Sequence, residues 1–177
     1  RDLDCYYKGD VLHVSDADFE KLLGHPIPKG KTKIDRNLTL HDTYLSAMAT
    51  YIDSIKNGVT TVFDHHASFG HITGSLNAIE EAAKDLGIRT CLCYEISDRD
   101  GMDKSRESVM ENVNFIKHAK QDDSDMLAAM MGMHASFTIS DETMALCQEL
   151  KPDGVGYHIH VAEGIYDLHQ CLKEHSK

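Results

Sequence analysis

Residues 156–164 read GYHIHVAEG, which places two imidazoles and a carboxyl inside a run that is otherwise apolar. A neutral imidazole is the commonest protein ligand for a zinc-like ion. Alternate residues of a strand face the same way, so His158 and His160 share a face. Glu163 comes three residues after His160, where a strand would give way to a loop. From there it can reach the same site without being a ligand, and a carboxylate beside an ion-activated water can carry a proton to a substrate. Two other readings compete. HIH can be a pair of hydrogen-bonded core histidines, or the complete ligand pair of one ion with Glu163 a plain loop residue. His134 and the pair His65–His66 weigh against the first, because each follows its own strand-like run. Three separate strand ends carrying histidine are hard to explain by core packing.

The elements that would position these groups alternate along the chain. LTLHDTYLSAMATYIDSIKNG opens on Thr39 with Asp42 three residues later, a variant capping box. Leu45, Met48, Tyr51, Ile52 and Ile55 recur at helical spacing, and Gly58 supplies a stop. VTTVFD (59–64) reads as a strand, SLNAIEEAAKDLG as a helix with Leu76, Ile79, Ala83 and Leu86 on one stripe, and IRTCLCYEI (88–96) as a second strand. Residues 104–120 predict a helix with Val109, Val113 and Ile116 inward. MLAAMMGMHASF contains a third strand, Ser140 caps the helix DETMALCQEL, YHIHVAE is the fourth strand, and IYDLHQCLKEHS begins another helix.

Strand starts about 30–38 residues apart match crossover units of a parallel sheet. No GxGxxG or GxxxxGK follows a strand, so nothing points to a nucleotide fold. Instead each strand ends in polar groups: Asp64-His65-His66, Ser97-Asp98-Arg99-Asp100, His134 with Ser136, and His160 with Glu163. Chemistry at the C-terminal ends of many strands is the signature of the (β/α)8 barrel. The expected fold is therefore α/β, a partial TIM barrel over residues 37–177 covering roughly strands 2 to 5. Residues 1–36 form an irregular, unplaced segment. Only four strands are evident, so a longer chain is expected, and the absence of an initial Met agrees with that.

The chain of 177 residues carries 18 Lys+Arg against 29 Asp+Glu, a net charge of −11. Nucleic acid and membrane surfaces are thus expected to be excluded as partners. No apolar run nears the roughly 20 residues of a membrane span. The five cysteines have no CxxC spacing and suggest a reducing cytoplasm. Cys91 and Cys93, two apart in a strand, read as small buried hydrophobes.

The series NGVTTVFDHHAS, GIRTCLCYEISDRDG, GMHASFTISDET and GYHIHVAEG resembles the amidohydrolase superfamily. Within it the chain is most similar to the cytosine deaminase and chlorohydrolase branch, and there to the aminohydrolases associated with selenium metabolism. The likeness runs from about residue 34 to the end. It implies that His160 is a metal ligand and that Glu163 shuttles a proton between an activated water and the leaving group. It further implies that His134, His65 and His66 face the substrate. His158 has no family role, and packing is its expected one. The opening HxH of the family is not found in residues 1–37, so at most one of four expected ligands is present. The implied activity is hydrolysis of a non-peptide C–N bond in a cyclic amidine or heterocycle, with one divalent ion, zinc, as cofactor. The implied partner is a small-molecule substrate, and the chain can form a homo-oligomer. Two rivals stand beside this: a non-catalytic (β/α) segment that needs a partner chain or self-association, and a barrel using HIH as its first-strand metal pair.

Overall fold

The computed structural model describes residues 5–8, 11–14, 36–162 and 164–175. Within the first 36 residues, expected to be irregular, Cys5–Lys8 (β1) and Val11–Val14 (β2) pair antiparallel with Cys5 opposite Val14. CYYK and VLHV are rich in aromatic and branched residues, which suit a pleated backbone.

The repeating units start at Leu40–Lys56 (α1). Thr39 Oγ1 accepts from the Asp42 amide while the Asp42 carboxylate accepts from the Thr39 amide, the reciprocal cap read from the sequence. Then follow Thr61–His66 (β3), Ser75–Leu86 (α2), Arg89–Tyr94 (β4) and Met102–Ala119 (α3). The third strand-like run forms two pieces, Leu127–Ala129 (β5) and Met131–Met133 (β6). Asp141–Leu150 (α4), Tyr157–Ile159 (β7) and Ile165–His175 (α5) complete the series. β3, β4 and β5 pair parallel in that order, and β6 pairs parallel with β7. The two groups join where the Met130 amide bonds Leu92 O and Ile96 bridges Met133.

One face of the sheet is covered by helices. Leu92 and Tyr94 meet Tyr51, Leu76, Ile79 and Phe115 in one core. Ile96, Val109, Val113, Ile116, Met131 and Met133 form a second. The burial of α1 differs from the expected stripe: Thr43, Ala47 and Tyr51 are buried, whereas Leu45, Ile52 and Ile55 are exposed. At 100° per residue the inward face lies about a third of a turn from those exposed apolar residues. Small Thr43 and Ala47 face the close contact, and Tyr51 reaches through it to Asp64 and Thr90.

The break in the third strand has a visible cause. Asn112, fully buried on α3, accepts from the Tyr94 and Gly132 amides through Oδ1 and donates to Tyr94 O and Ser108 O through Nδ2. It stands in for the rung between Tyr94 and Gly132, beyond which direct bonding resumes from the Ile96 amide to Gly132 O. The strands press together there, since a Cβ at Gly132 would stand 2.3 Å from Tyr94 O. At the rim, Asp98 accepts from the Ser140 amide and from the Ser105 and Thr143 hydroxyls, tying the loop after β4 to the starts of α3 and α4. Burial alone would raise its pKa, and those donors bring the net shift below the ordinary range.

Candidate metal centre

The parallel register converts separate sequence motifs into one cluster. His65 lies opposite Cys93 across β3 and β4, and His158 lies opposite Gly132 across β6 and β7. All three side chains occupy the face away from the helices, which is open enough that Phe63 on it is 64% exposed. Because Gly132 has no side chain, the Cys93 sulfur can meet His158 across it: Sγ is 3.5 Å from His158 Nδ1 and 3.5 Å from His65 Nδ1. The His65 ring centroid is 4.8 Å from that of His158 and 4.9 Å from that of His160, and the His158 and His160 rings are 5.5 Å apart.

Charge at this cluster is disfavoured. Burial, followed by the neighbouring rings of His158, His160, His134 and His66, lowers the pKa of His65 to about 4. It is therefore neutral near pH 7, the state in which an imidazole nitrogen can bind a cation. Burial, with Cys91, Asp64 and Glu95 adding to it, raises the Cys93 thiol well above its usual range. Nε2 of His65 is buried without a hydrogen bond and lies 3.9 Å from Glu95 Oε2, while Glu95 is ion-paired with Arg99.

The other nominated residues are placed as follows. His160 stands past the end of β7, exposed, one inward-facing position beyond His158. His134 follows β6, with Nδ1 2.9 Å from Thr138 Oγ1 and its ring edge toward Phe137. His66 is on the opposite face from His65. Its Nε2 is 2.9 Å from Ser68 Oγ, its ring meets Tyr94 edge-on at 5.8 Å, and burial lowers its pKa to about 4. Strand alternation separates the pair, and only His65 joins the cluster. Glu163 lies outside the described residues. The turn before it is held by Asp167, a buried carboxylate that accepts from the Ala162 amide at 2.7 Å. Ala162 has φ +56°, an uncommon conformation for a non-glycine residue and one that gathers at functional turns.

Sequence reasoning missed Cys93, the joint role of His158, and Asp167. For Cys93 the only available signal was its parity with the strand-end histidine, which needs the β3–β4 register to be read. Asp167 sits in the first turn of a helix right after the motif, a position that favours a carboxylate.

The amidohydrolase family matches residues 9–177 of the chain. The chain belongs to this family. The match starts well before residue 34, the point from which the motifs alone show the likeness. Among relatives, the 5'-deoxyadenosine deaminase of Methanoregula boonei is 26% identical over 145 residues, which is 81% of this chain and 31% of that protein. The 5-methylthioadenosine/S-adenosylhomocysteine deaminase of Thermodesulfovibrio yellowstonii is 30% identical over 132 residues, covering 71% of this chain and 27% of that protein. The chain thus spans about a third of the length of the curated relatives it matches. A zinc-bound adenosine deaminase from Xanthomonas campestris superposes with a TM-score of 0.63 at 13% identity, over 79% of this chain and 30% of the other. A zinc-complexed atrazine chlorohydrolase from Arthrobacter aurescens TC1 gives 0.57 at 22% identity, over 75% and 32%. These likenesses establish a segment of an amidohydrolase barrel. A divalent ion fits the donor set, because His65, Cys93 and His158 each present a ligand atom within 4.8 Å of the others and the His160 ring adjoins them. Among the described residues no helix is long and apolar enough to cross a membrane.

Proposed function

We infer that this chain is the segment of a metal-dependent amidohydrolase that carries strands 2 to 5, and that the whole protein deaminates an aminated heterocycle. One observation carries this reading: imidazoles from separate strands meet at one end and one face of a parallel sheet. That convergence serves a reaction centre and has little value for packing, because it lowers the basicity of His65 and leaves its Nε2 unsatisfied. The deaminases among the relatives support an adenosine-type purine as the first substrate to try. FDHHAS and SDRDG support the selenium-associated aminohydrolases as the subgroup.

In this reading His160 holds the ion, zinc, together with ligands outside this segment. When bound, such an ion polarises water and stabilises negative charge. Glu163 takes a proton from the attacking water and returns it to the ring or leaving nitrogen. Asp167 holds the Ala162 turn that precedes Glu163 in the chain. His134, held through Thr138, orients a substrate oxygen or nitrogen. His65 lines the substrate side of the mouth beside His160 as a neutral ring, and His66 supports that strand end through Ser68 and Tyr94. The helices exclude water from behind, so both histidines work in a medium of reduced dielectric.

The test is ammonia release from adenosine, 5'-deoxyadenosine, methylthioadenosine and guanine by the zinc-loaded native protein. Turnover of at least one is expected, and no release from any of them would overturn the reading. The 177-residue chain alone is expected to be inactive, because one family ligand cannot hold a catalytic ion.

A further inference from the structure

We propose that His65, Cys93 and His158 form a second, thiolate-containing metal site, distinct from the ion held through His160 and suited to a borderline-soft cation of the zinc class. Zinc bonds of ~2.3 Å to sulfur and ~2.0–2.1 Å to imidazole nitrogen, at a tetrahedral angle of about 109°, give a sulfur-to-nitrogen edge of about 3.5 Å. Both edges from Cys93 Sγ, to His65 Nδ1 and to His158 Nδ1, are 3.5 Å. All three ligand atoms lie within 4.8 Å of one another, and the two imidazoles draw together on binding to the nitrogen-to-nitrogen edge of about 3.3 Å that a tetrahedral ion requires.

Hydrogen bonding alone accounts for this arrangement poorly. Cys93 Sγ has the Asp64 carbonyl oxygen at 3.5 Å besides the two imidazole nitrogens. The thiol can donate to the carbonyl and accept from the two Nδ1–H groups, but sulfur is a weak donor and acceptor, so such contacts contribute little. A cation uses the sulfur and both nitrogens at once.

The surroundings match what a ligating histidine needs. With Nδ1 on the cation, His65 carries its proton on Nε2, the atom that is buried, unbonded and 3.9 Å from the Glu95 carboxylate. A carboxylate hydrogen-bonded behind a ligating imidazole fixes its tautomer and ring orientation; Glu95, held by Arg99, takes that role once metal binding brings Nε2 within hydrogen-bond distance. Gly132 matters as well, because it is the residue between Cys93 and His158 in the sheet, and its lack of a side chain leaves the space between sulfur and imidazole open. Three protein ligands leave one corner for solvent. On binding, the Cys93 thiol releases its proton to solvent and the thiolate takes the cation, both imidazoles binding as neutral ligands. Sulfur selects for zinc or softer ions over magnesium and calcium.

The experiment is cobalt(II) titration of the metal-free native protein, read by absorption. A thiolate-to-cobalt charge-transfer band in the near ultraviolet is expected. It should vanish in Cys93→Ser and persist in Cys91→Ser, which removes a second thiol from the same face. It should also persist in His160→Ala, which loses only the visible absorption of the ion held by nitrogen and oxygen ligands. Failure of the deaminase reading would therefore leave the band in place. Absence of the band in the wild-type protein, or its survival in Cys93→Ser, would overturn the proposal. If Cys93→Ser does not fold, zinc X-ray absorption of the wild type decides: a sulfur shell near ~2.3 Å is expected, and a shell of nitrogen and oxygen alone overturns it.

Discussion

Glu163→Gln is expected to lower kcat of the native, zinc-loaded protein by about 10²–10⁴-fold, with KM and zinc content close to wild type. The carboxamide has nearly the same shape as the carboxylate but cannot accept a proton, so the substitution removes proton transfer and little else. The residue follows His160 by three positions, past the end of β7. The residue before it, Ala162, lies in the left-handed region, and its amide is held by the Asp167 carboxylate. Steady-state kinetics with metal analysis on the same preparation check the expectation. An unchanged kcat would remove Glu163 from the mechanism, and a parallel loss of zinc would make it a ligand instead.

Asn112→Leu is expected to destabilise the protein by about 3–5 kcal/mol, a large share of the 5–15 kcal/mol typical of a domain. Leucine fits the space of asparagine but supplies no polar atom. The Tyr94 and Gly132 amides would then be buried without an acceptor, and Tyr94 O would lose its donor. Each orphaned buried group costs about 1–3 kcal/mol. Gly132 leaves no room for strand β6 to slide and repair the gap, since its backbone already crowds Tyr94 O. Urea unfolding with an unchanged m-value is the measurement. A loss below about 1 kcal/mol would mean that these amides find another partner, and that Asn112 does not bridge the strands.

What the sequence revealed and what it hid follow from the range of the interactions concerned. The Thr39–Asp42 cap and the Ser140 cap were legible because both partners lie within three residues. The inward positions of Val109, Val113 and Ile116 were legible because one helix face determines them. The stripe on α1 was legible only in part: Tyr51 and Met48 do pack on the core, but Leu45, Ile52 and Ile55 do not, because the choice between Leu45 and Thr43 as the inward residue depends on what packs there and how closely. The sharing of Asn112 between β4 and β6 could not be read at all, since it joins residues 18 and 20 positions apart. The same limit applied at the site. The strand-end histidines were visible as a set, but His65 and His66 looked equivalent until the register assigned them to opposite faces. Cys93 looked inert because its partner His158 is 65 residues away.

The central claim is that His160 holds a catalytic ion at the mouth of this barrel. A zinc-edge anomalous difference map from a crystal of the native protein tests it most directly. The account predicts a peak about 2.0–2.1 Å from a ring nitrogen of His160. An active protein whose zinc lies elsewhere, with no peak beside that ring, would contradict it.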